Sequence, residues 1–186
     1  MARYVAFLRA VNVAGHAVLK KEDLQRVFQE AGCTKVQTVI QSGNVIFEAE
    51  RAPSEGLFAA VREGLAGLVG MDVLVIFRRA GEILNLAASG AFSKAKPEGD
   101  AKRYACFLSG RPRSIPKLPL ISAKDGLGLL GVTEGEAFVI SRKIEGKAMY
   151  GFPNAFIEKR LSVGATTRSW STVLKIAGLL SGEPQG

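Results

Sequence analysis

Histidine is all but missing from this sequence. His16 stands alone beside Gly15, with no Cys, Asp or Glu at metal-ligand spacing to it, which argues against a metal centre. Cysteine is nearly as scarce. Cys33 and Cys106 lie far apart and neither belongs to a CxxC or Cys/His cluster, so neither a disulfide framework nor a zinc site is indicated and both are expected to be buried thiols. No apolar run approaches a membrane span; the one at 73–77 is typical. The first four residues lead directly into strand-like sequence rather than a signal peptide, so a soluble cytoplasmic protein with no membrane partner is expected. Catalytic signatures are absent as well. The Gly-x-Ser-x-Gly elbow is missing, and Gly126-Leu127-Gly128 is followed by neither a third Gly nor a P-loop Lys. Glu134 and Glu136 share one turn instead of facing each other across a cleft. No reaction is named by these residues, and no cofactor is expected.

What is present is a folding chain with a lopsided charge. Its 186 residues, 47% of them hydrophobic, can bury a real core as one domain or as two small ones. The formal net charge is +8. Residues 1–93 carry ten Lys/Arg against nine Asp/Glu, and residues 94–186 carry fifteen against eight, so +7 of the +8 sits in the second half. Such a field favours a phosphorylated ligand, nucleic acid or an acidic protein.

The pattern along the chain is that of a βαββαβ unit followed by a second α+β part. Residues 3–9 read as a strand, and Leu24, Val27, Phe28 and Ala31 fall at helical spacing before Gly32. Residues 36–41 and 44–48 read as a hairpin turned at Ser42-Gly43, where Gly accepts positive φ. Leu57, Phe58, Val61, Leu65 and Leu68 lie on one face of a helix that Ser54 would cap and Gly70 would end, and 71–78 reads as a fourth strand. This is the ferredoxin-like order, in which strands one and three are antiparallel neighbours at the sheet centre. Arg9 and Asn12 should then face Gln41, Ser42 and Asn44 at one end of the sheet. Two readings of that cluster stay open: a polar rim that ties the turn together, or part of an anion site to which Arg9 adds charge.

Beyond it, 83–87 reads as a short helix and 89–101 as a connecting loop. Residues 102–108 resume as a strand, and 109–119, with three prolines, reads as a loop carrying Arg111, Arg113 and Lys117. Residues 126–132 and 136–142 read as a hairpin around 133–135. A helix over 153–161 places Pro153 in its first turn, with Glu158, Lys159 and Arg160 on its solvated side; its start, near Lys147 and Asn154, is one candidate anion site. The segment GATTRSWSTVLK at 164–175 holds five hydroxyls, Arg168 and the only Trp. With Thr166 or Thr167 as N-cap and the apolar run 173–180 behind it, the final helix is expected to begin at Arg168. It is read either as a capped helix with Trp170 as a hydrophobic lid or as a helix terminus that holds an anion.

RNA-recognition modules share the βαββαβ order and stack bases on open aromatics of the central strands. Here both faces of those strands are apolar and the Lys/Arg-Gly-aromatic signature is absent, which fits a sheet covered on both sides.

Four segments carry a resemblance to a family: YVAFLRAVNV at 4–13, QSGNV at 41–45, NAFIEK at 154–159, and ATTRSW at 165–170 running on to Thr172-Val173. In these the chain resembles, nearly end to end, the bacterial family known as domain of unknown function 1697. It departs from that family's usual form at Ser169 and Ser171, where Asn is usual, and at 149–153, where a Ser-Lys-containing segment is usual. The resemblance implies an α+β fold with a ferredoxin-like N-terminal part and no established activity.

Taken together, these readings predict an α+β fold: a ferredoxin-like subdomain over 1–80 and an α+β subdomain over 81–186 with two C-terminal helices, packed against the first sheet as one compact unit. The leading functional expectation is a phosphorylated small molecule or other anion bound at a polar cleft between the subdomains. Arg9, Asn12, Gln41, Ser42, Asn44, Thr166, Thr167, Arg168 and Trp170 are its candidate residues. One alternative is a nucleic-acid-binding module using Arg111, Arg113, Lys143 and Lys147 on phosphates; the other is a protein-interaction scaffold.

Overall fold

The computed structural model describes residues 1–9, 19–40, 43–49, 55–93, 100–144 and 146–182. Asn12, His16, Gln41, Ser42 and Ser54 lie outside the described residues, as does most of the loop expected at 89–101. The chain divides into two compact units, Met1–Glu82 and Ile83–Gly186.

In the first unit β1 (Ala2–Leu8), α1 (Lys21–Glu30), β2 (Thr34–Val39), β3 (Asn44–Ala49), α2 (Glu55–Val69) and β4 (Val75–Arg79) follow one another in the expected βαββαβ order. The sheet order is β2-β3-β1-β4 with all neighbours antiparallel. This is the split βαβ arrangement. The fourth strand is shorter than its sequence pattern, because Met71 is exposed and pairing begins only at Val75. One face of the sheet, with Leu8, Val45 and Phe47, forms a core with Phe28 of α1 and Val61 and Leu65 of α2. Helix α1 stops where Gly32 takes φ of 92°, a left-handed conformation that costs a glycine little. The opposite face, carrying Val5, Phe7, Ile46 and Ile76, is also buried. Tyr4 and Phe47 belong to the core under α1 and α2, and Phe7 is the one ring on the opposite face of the central strands, so the paired aromatics of an RNA-module platform are not there.

The second unit contains β5 (Lys102–Leu108), β6 (Leu120–Ser122), β7 (Leu127–Val132), β8 (Glu136–Ser141) and β9 (Ala165–Ser169), in sheet order β6-β7-β8-β5-β9. All of its strand pairs are antiparallel. Helix α3 (Ala80–Ala88) leads into it, and α4 (Pro153–Leu161) and α5 (Trp170–Ser181) belong to it. Two alternating sets run across β5, β8 and β9. Cys106, Leu108, Ala137, Val139 and Ala165 form a core with Phe156, Ile157 and Leu161 of α4. Pro153 begins α4 as expected, at a position whose missing N–H is one of the helix's orphans in any case.

One element corrects the sequence reading. Thr166, Thr167 and Arg168 do not cap or begin the last helix; they form β9, paired with β5 in the register Phe107↔Thr166, Cys106↔Thr167 and Ala105↔Arg168. Successive β-branched threonines favour a pleated strand, and β5 offers an edge whose backbone groups need partners. The helix begins one strand later, at Trp170. Its cap is Ser169, in extended backbone, with its hydroxyl accepting from the Thr172 N–H at 3.2 Å.

Both thiols are buried and free, and burial pushes Cys33 up to about 11 and Cys106 up to about 12, from an ordinary value near 9. A thiol that keeps its proton longer when folded contributes stability that is intact below pH 9 and lost as pH rises above it. Urea unfolding should therefore show stability falling by about 1 kcal/mol per thiol between pH 9 and 10, and Cys106→Ala should remove its share of that slope.

Candidate functional site

The sequence-predicted residues are divided between the two units. In the first unit Arg9 follows the end of β1, where its backbone N–H donates to the Leu74 carbonyl at 2.9 Å. The register Phe7↔Asn44 and the bond from the Leu8 N–H to the Gly43 carbonyl bring the end of β1 to the start of β3, as the topology requires. Asn44 is fully buried, and its side-chain amide donates to the Val39 carbonyl at 3.0 Å across the hairpin. It ties the turn, which Asn side chains do readily because their amide reaches nearby backbone.

In the second unit the alternation of β9 separates the two threonines. Thr167 shares a face with Cys106, and its hydroxyl donates to Asn154 Oδ1 at 2.6 Å and lies 3.2 Å from the Cys106 Sγ. Thr166 and Arg168 occupy the other face. Arg168 is 8% exposed, and its guanidinium donates to the Thr166 hydroxyl at 2.9 Å and the Thr167 carbonyl at 2.8 Å. Burial holds its pKa down to about 10, so it stays charged at neutral pH. Trp170 packs edge-on against Phe92, which meets Phe138 in the same manner. Asn154, proposed from sequence as an anion ligand at the start of α4, spends its carbonyl on Thr167. Glu158, expected in solvent, instead accepts the Ala165 N–H at 3.0 Å and anchors the start of β9.

A cleft of about 470 Å³ lies in the second unit beside the start of α4, bounded by the β6–β7 turn, Ile144, residues 147–152 and the outer side of α4. Two close backbone approaches build it. The Arg142 N–H donates to the Gly126 carbonyl at 2.8 Å, and Ser141, fully buried, donates its hydroxyl to the Gly151 carbonyl at 2.6 Å. Gly151 lies so near that a β-carbon there would come within 2.0 Å of the Asp125 carbonyl oxygen. The Ile144 N–H to Met149 carbonyl bond and the bridge between Lys143 and Tyr150 shape the neighbouring wall.

Among the described residues four cations line this cleft, Lys124, Lys147, Lys159 and Arg160, against one carboxylate, Asp125, which already accepts the Ser122 hydroxyl at 2.5 Å. None of the four is in an ion pair with a described residue. Aromatic rings alternate with them. Arg160 lies 5.6 Å from the Phe156 ring, Lys102 lies 4.0 Å over Tyr150, and Phe152 stands 63% exposed with Tyr104 in an edge contact. Lys147 was singled out in the sequence; Lys124, Tyr150, Phe152, Lys159 and Arg160 were missed as ligand groups. Their signal was an exposed Phe before a helix-starting Pro, with cations on the turns either side. Among the described residues no His/Cys/Asp/Glu group could hold a metal ion.

The residues proposed for nucleic acid do not make one patch. Arg111 pairs with Glu134 at 2.8 Å, before the start of β8, whereas Lys143 pairs with Asp100 at 3.7 Å, beyond its end. Nine residues of extended chain separate Glu134 from Lys143, about 30 Å. Lys147 belongs to the cleft, and Arg113 is exposed on the loop with Arg111.

Among described residues no helix is long and apolar enough to cross a membrane. No curated protein matches the chain. Among solved structures, it is similar to the conserved bacterial protein SP0830 from Streptococcus pneumoniae, with a TM-score of 0.62 and 15% identity over 96% of this chain and 98% of that one. That likeness concerns the fold: α+β, with two antiparallel sheets and five helices among the described residues. The family model described as "Protein of unknown function (DUF1697)" matches residues 1–127, which takes in the whole βαββαβ unit, β5 and β6 and leaves the segments at 154–159 and 165–173 outside the match. With well over half its length matched, the chain belongs to the DUF1697 family of proteins of unknown function.

Proposed function

We propose that the protein is a cytoplasmic anion-binding protein that holds a phosphorylated small molecule in the cleft beside α4. The observation that carries this reading is that, among the described residues, one cleft gathers four cationic side chains in no ion pair against a single carboxylate. Cations gathered at a concave site carry a standing repulsion that a phosphate dianion relieves, and partial enclosure weakens competition from water. The start of α4 adds the positive end of a helix dipole to the same side. The cleft's size lies within the range of small-molecule sites. Its charge fits the +7 excess in the second half of the chain.

The α4 cleft differs from the site expected from Arg9, Asn44, Thr166, Thr167, Arg168 and Trp170. It depends instead on a set of side chains within one unit. Nucleic acid as the partner would need the separated cations Arg111, Arg113, Lys143 and Lys147 to act along an extended ligand, so the cleft favours a small molecule.

Isothermal titration with inorganic pyrophosphate tests the reading. We expect saturable binding that weakens between 50 mM and 300 mM salt, because the Debye length shrinks to a few ångströms. Lys147→Gln/Lys159→Gln should weaken it at least tenfold, while Arg62→Gln, on α2, should leave it unchanged. Absent or salt-insensitive binding, or a double variant that binds like the wild type, would count against the cleft.

A further inference from the structure

The cations account for a phosphate but not for the aromatic rings among them. Phe152 sits at the mouth of the cleft with 63% of its surface exposed, directly before Pro153, and Met149 beside it is 58% exposed. Large apolar side chains so exposed need a reason when they border a polar cleft. The other rings of the cleft are already engaged: Tyr150 lies beneath the Lys102 ammonium, and Phe156 beneath the Arg160 guanidinium. The Phe152 ring meets Tyr104 at 6.4 Å and 72°, an edge contact on one side of the ring. Buried Pro153 and the Gly151 carbonyl, held by Ser141, fix the backbone on either side, so the ring is presented from a rigid base.

We propose that the ligand of this cleft is a nucleotide, with its phosphate held by Lys147 and Lys159 and its base stacked on Phe152. The inference rests on the anion-binding reading above and adds the ligand's class. A planar π-surface beside a cationic groove is the arrangement that binds nucleotide units without reading base identity, because every base has a stacking face. Met149 adds a polarizable side chain to the same platform. The shared chemistry, one base and one phosphate, is found both in free mononucleotides and at the phosphorylated end of a nucleic-acid strand.

Four probes separate the possibilities in parallel titrations: AMP, ribose 5-phosphate, adenosine and a 5′-phosphorylated oligodeoxythymidylate. AMP should bind about tenfold tighter than ribose 5-phosphate. Phe152→Ala should remove that advantage while leaving ribose 5-phosphate affinity unchanged, and Phe152→Trp should restore it. Because Phe152 is exposed, the variants should fold normally, as far-UV circular dichroism would show. Equal affinity for AMP and ribose 5-phosphate in the wild type, or AMP binding that survives Phe152→Ala, would overturn the nucleotide assignment while leaving the anion site standing. Failure of all three phosphorylated ligands would remove both assignments. Binding of AMP and the oligonucleotide with equal affinity, each lost on Phe152→Ala, supports a strand end as the natural source. Binding of AMP alone supports a free nucleotide, and tighter binding of adenosine than of AMP contradicts the phosphate role.

Discussion

Gly151→Ala should destabilise the second unit by about 3 kcal/mol and abolish pyrophosphate binding. The reason is a backbone approach rather than a glycine's freedom of φ. A β-carbon at 151 would lie 2.0 Å from the Asp125 carbonyl oxygen and 3.0 Å from Leu127. Backbone cannot rotate aside as a side chain can, so either the β6–β7 turn or the segment leading into α4 must move. Moving the segment leading into α4 breaks the bond from Ser141 to the Gly151 carbonyl, and moving the turn breaks the hydrogen bond from the Arg142 N–H to the Gly126 carbonyl. Both strips of chain carry cleft residues, Lys124 on one and Phe152 on the other, so fold and binding should fail together. Gly67→Ala is the control. Nothing lies within 4 Å of a β-carbon there, and in the exposed α2 position alanine should add about 0.5–1 kcal/mol. A Gly151→Ala protein that melts and binds like the wild type would show that the two segments do not pack as described.

Ile157→Ala should cost about 3–4 kcal/mol. Ile157 is fully buried at the centre of α4, in the core that joins Leu161 and Phe156 to Cys106, Leu127, Leu129 and Val139. Truncation removes the transfer free energy of three carbons and leaves a cavity that the rigid sheet beneath cannot fill. The result is read from the urea midpoint at unchanged slope. A loss below about 1 kcal/mol would mean that α4 is loosely seated, and the helix would then be a poor support for Phe156, Lys159 and Arg160.

Much of this architecture was legible in the residues, and the failures have physical causes. The βαββαβ order could be read because α1 and α2 show helical spacing, the central strands are short apolar runs and the hairpin turn is marked by Gly43. Helix α4 could be read from Pro153 and from Phe156, Ile157 and Leu161. The start of the last helix was misplaced because Thr and Ser serve equally well as caps and as strand residues, and local sequence does not reveal that β5 offers an edge to Thr166, Thr167 and Arg168. Glu158 reads as a solvent residue with Lys159 and Arg160 beside it; only the fold shows that the Ala165 N–H lies within its reach. The cleft beside α4 draws its cations from positions 124, 147, 159 and 160, and no local spacing rule connects the β6–β7 turn with the outer side of a helix thirty residues later.

The central claim is where an anion binds. The direct measurement is a titration of ¹⁵N-labelled protein with inorganic pyrophosphate, followed through assigned backbone amide shifts. The account predicts concentration-dependent shifts centred on Lys124, Lys147, Gly151 and Lys159, with Thr166, Arg168 and Asn44 little changed. Shifts centred on β9 or on the β2–β3 hairpin, or no saturable shifts at the cleft, would contradict it.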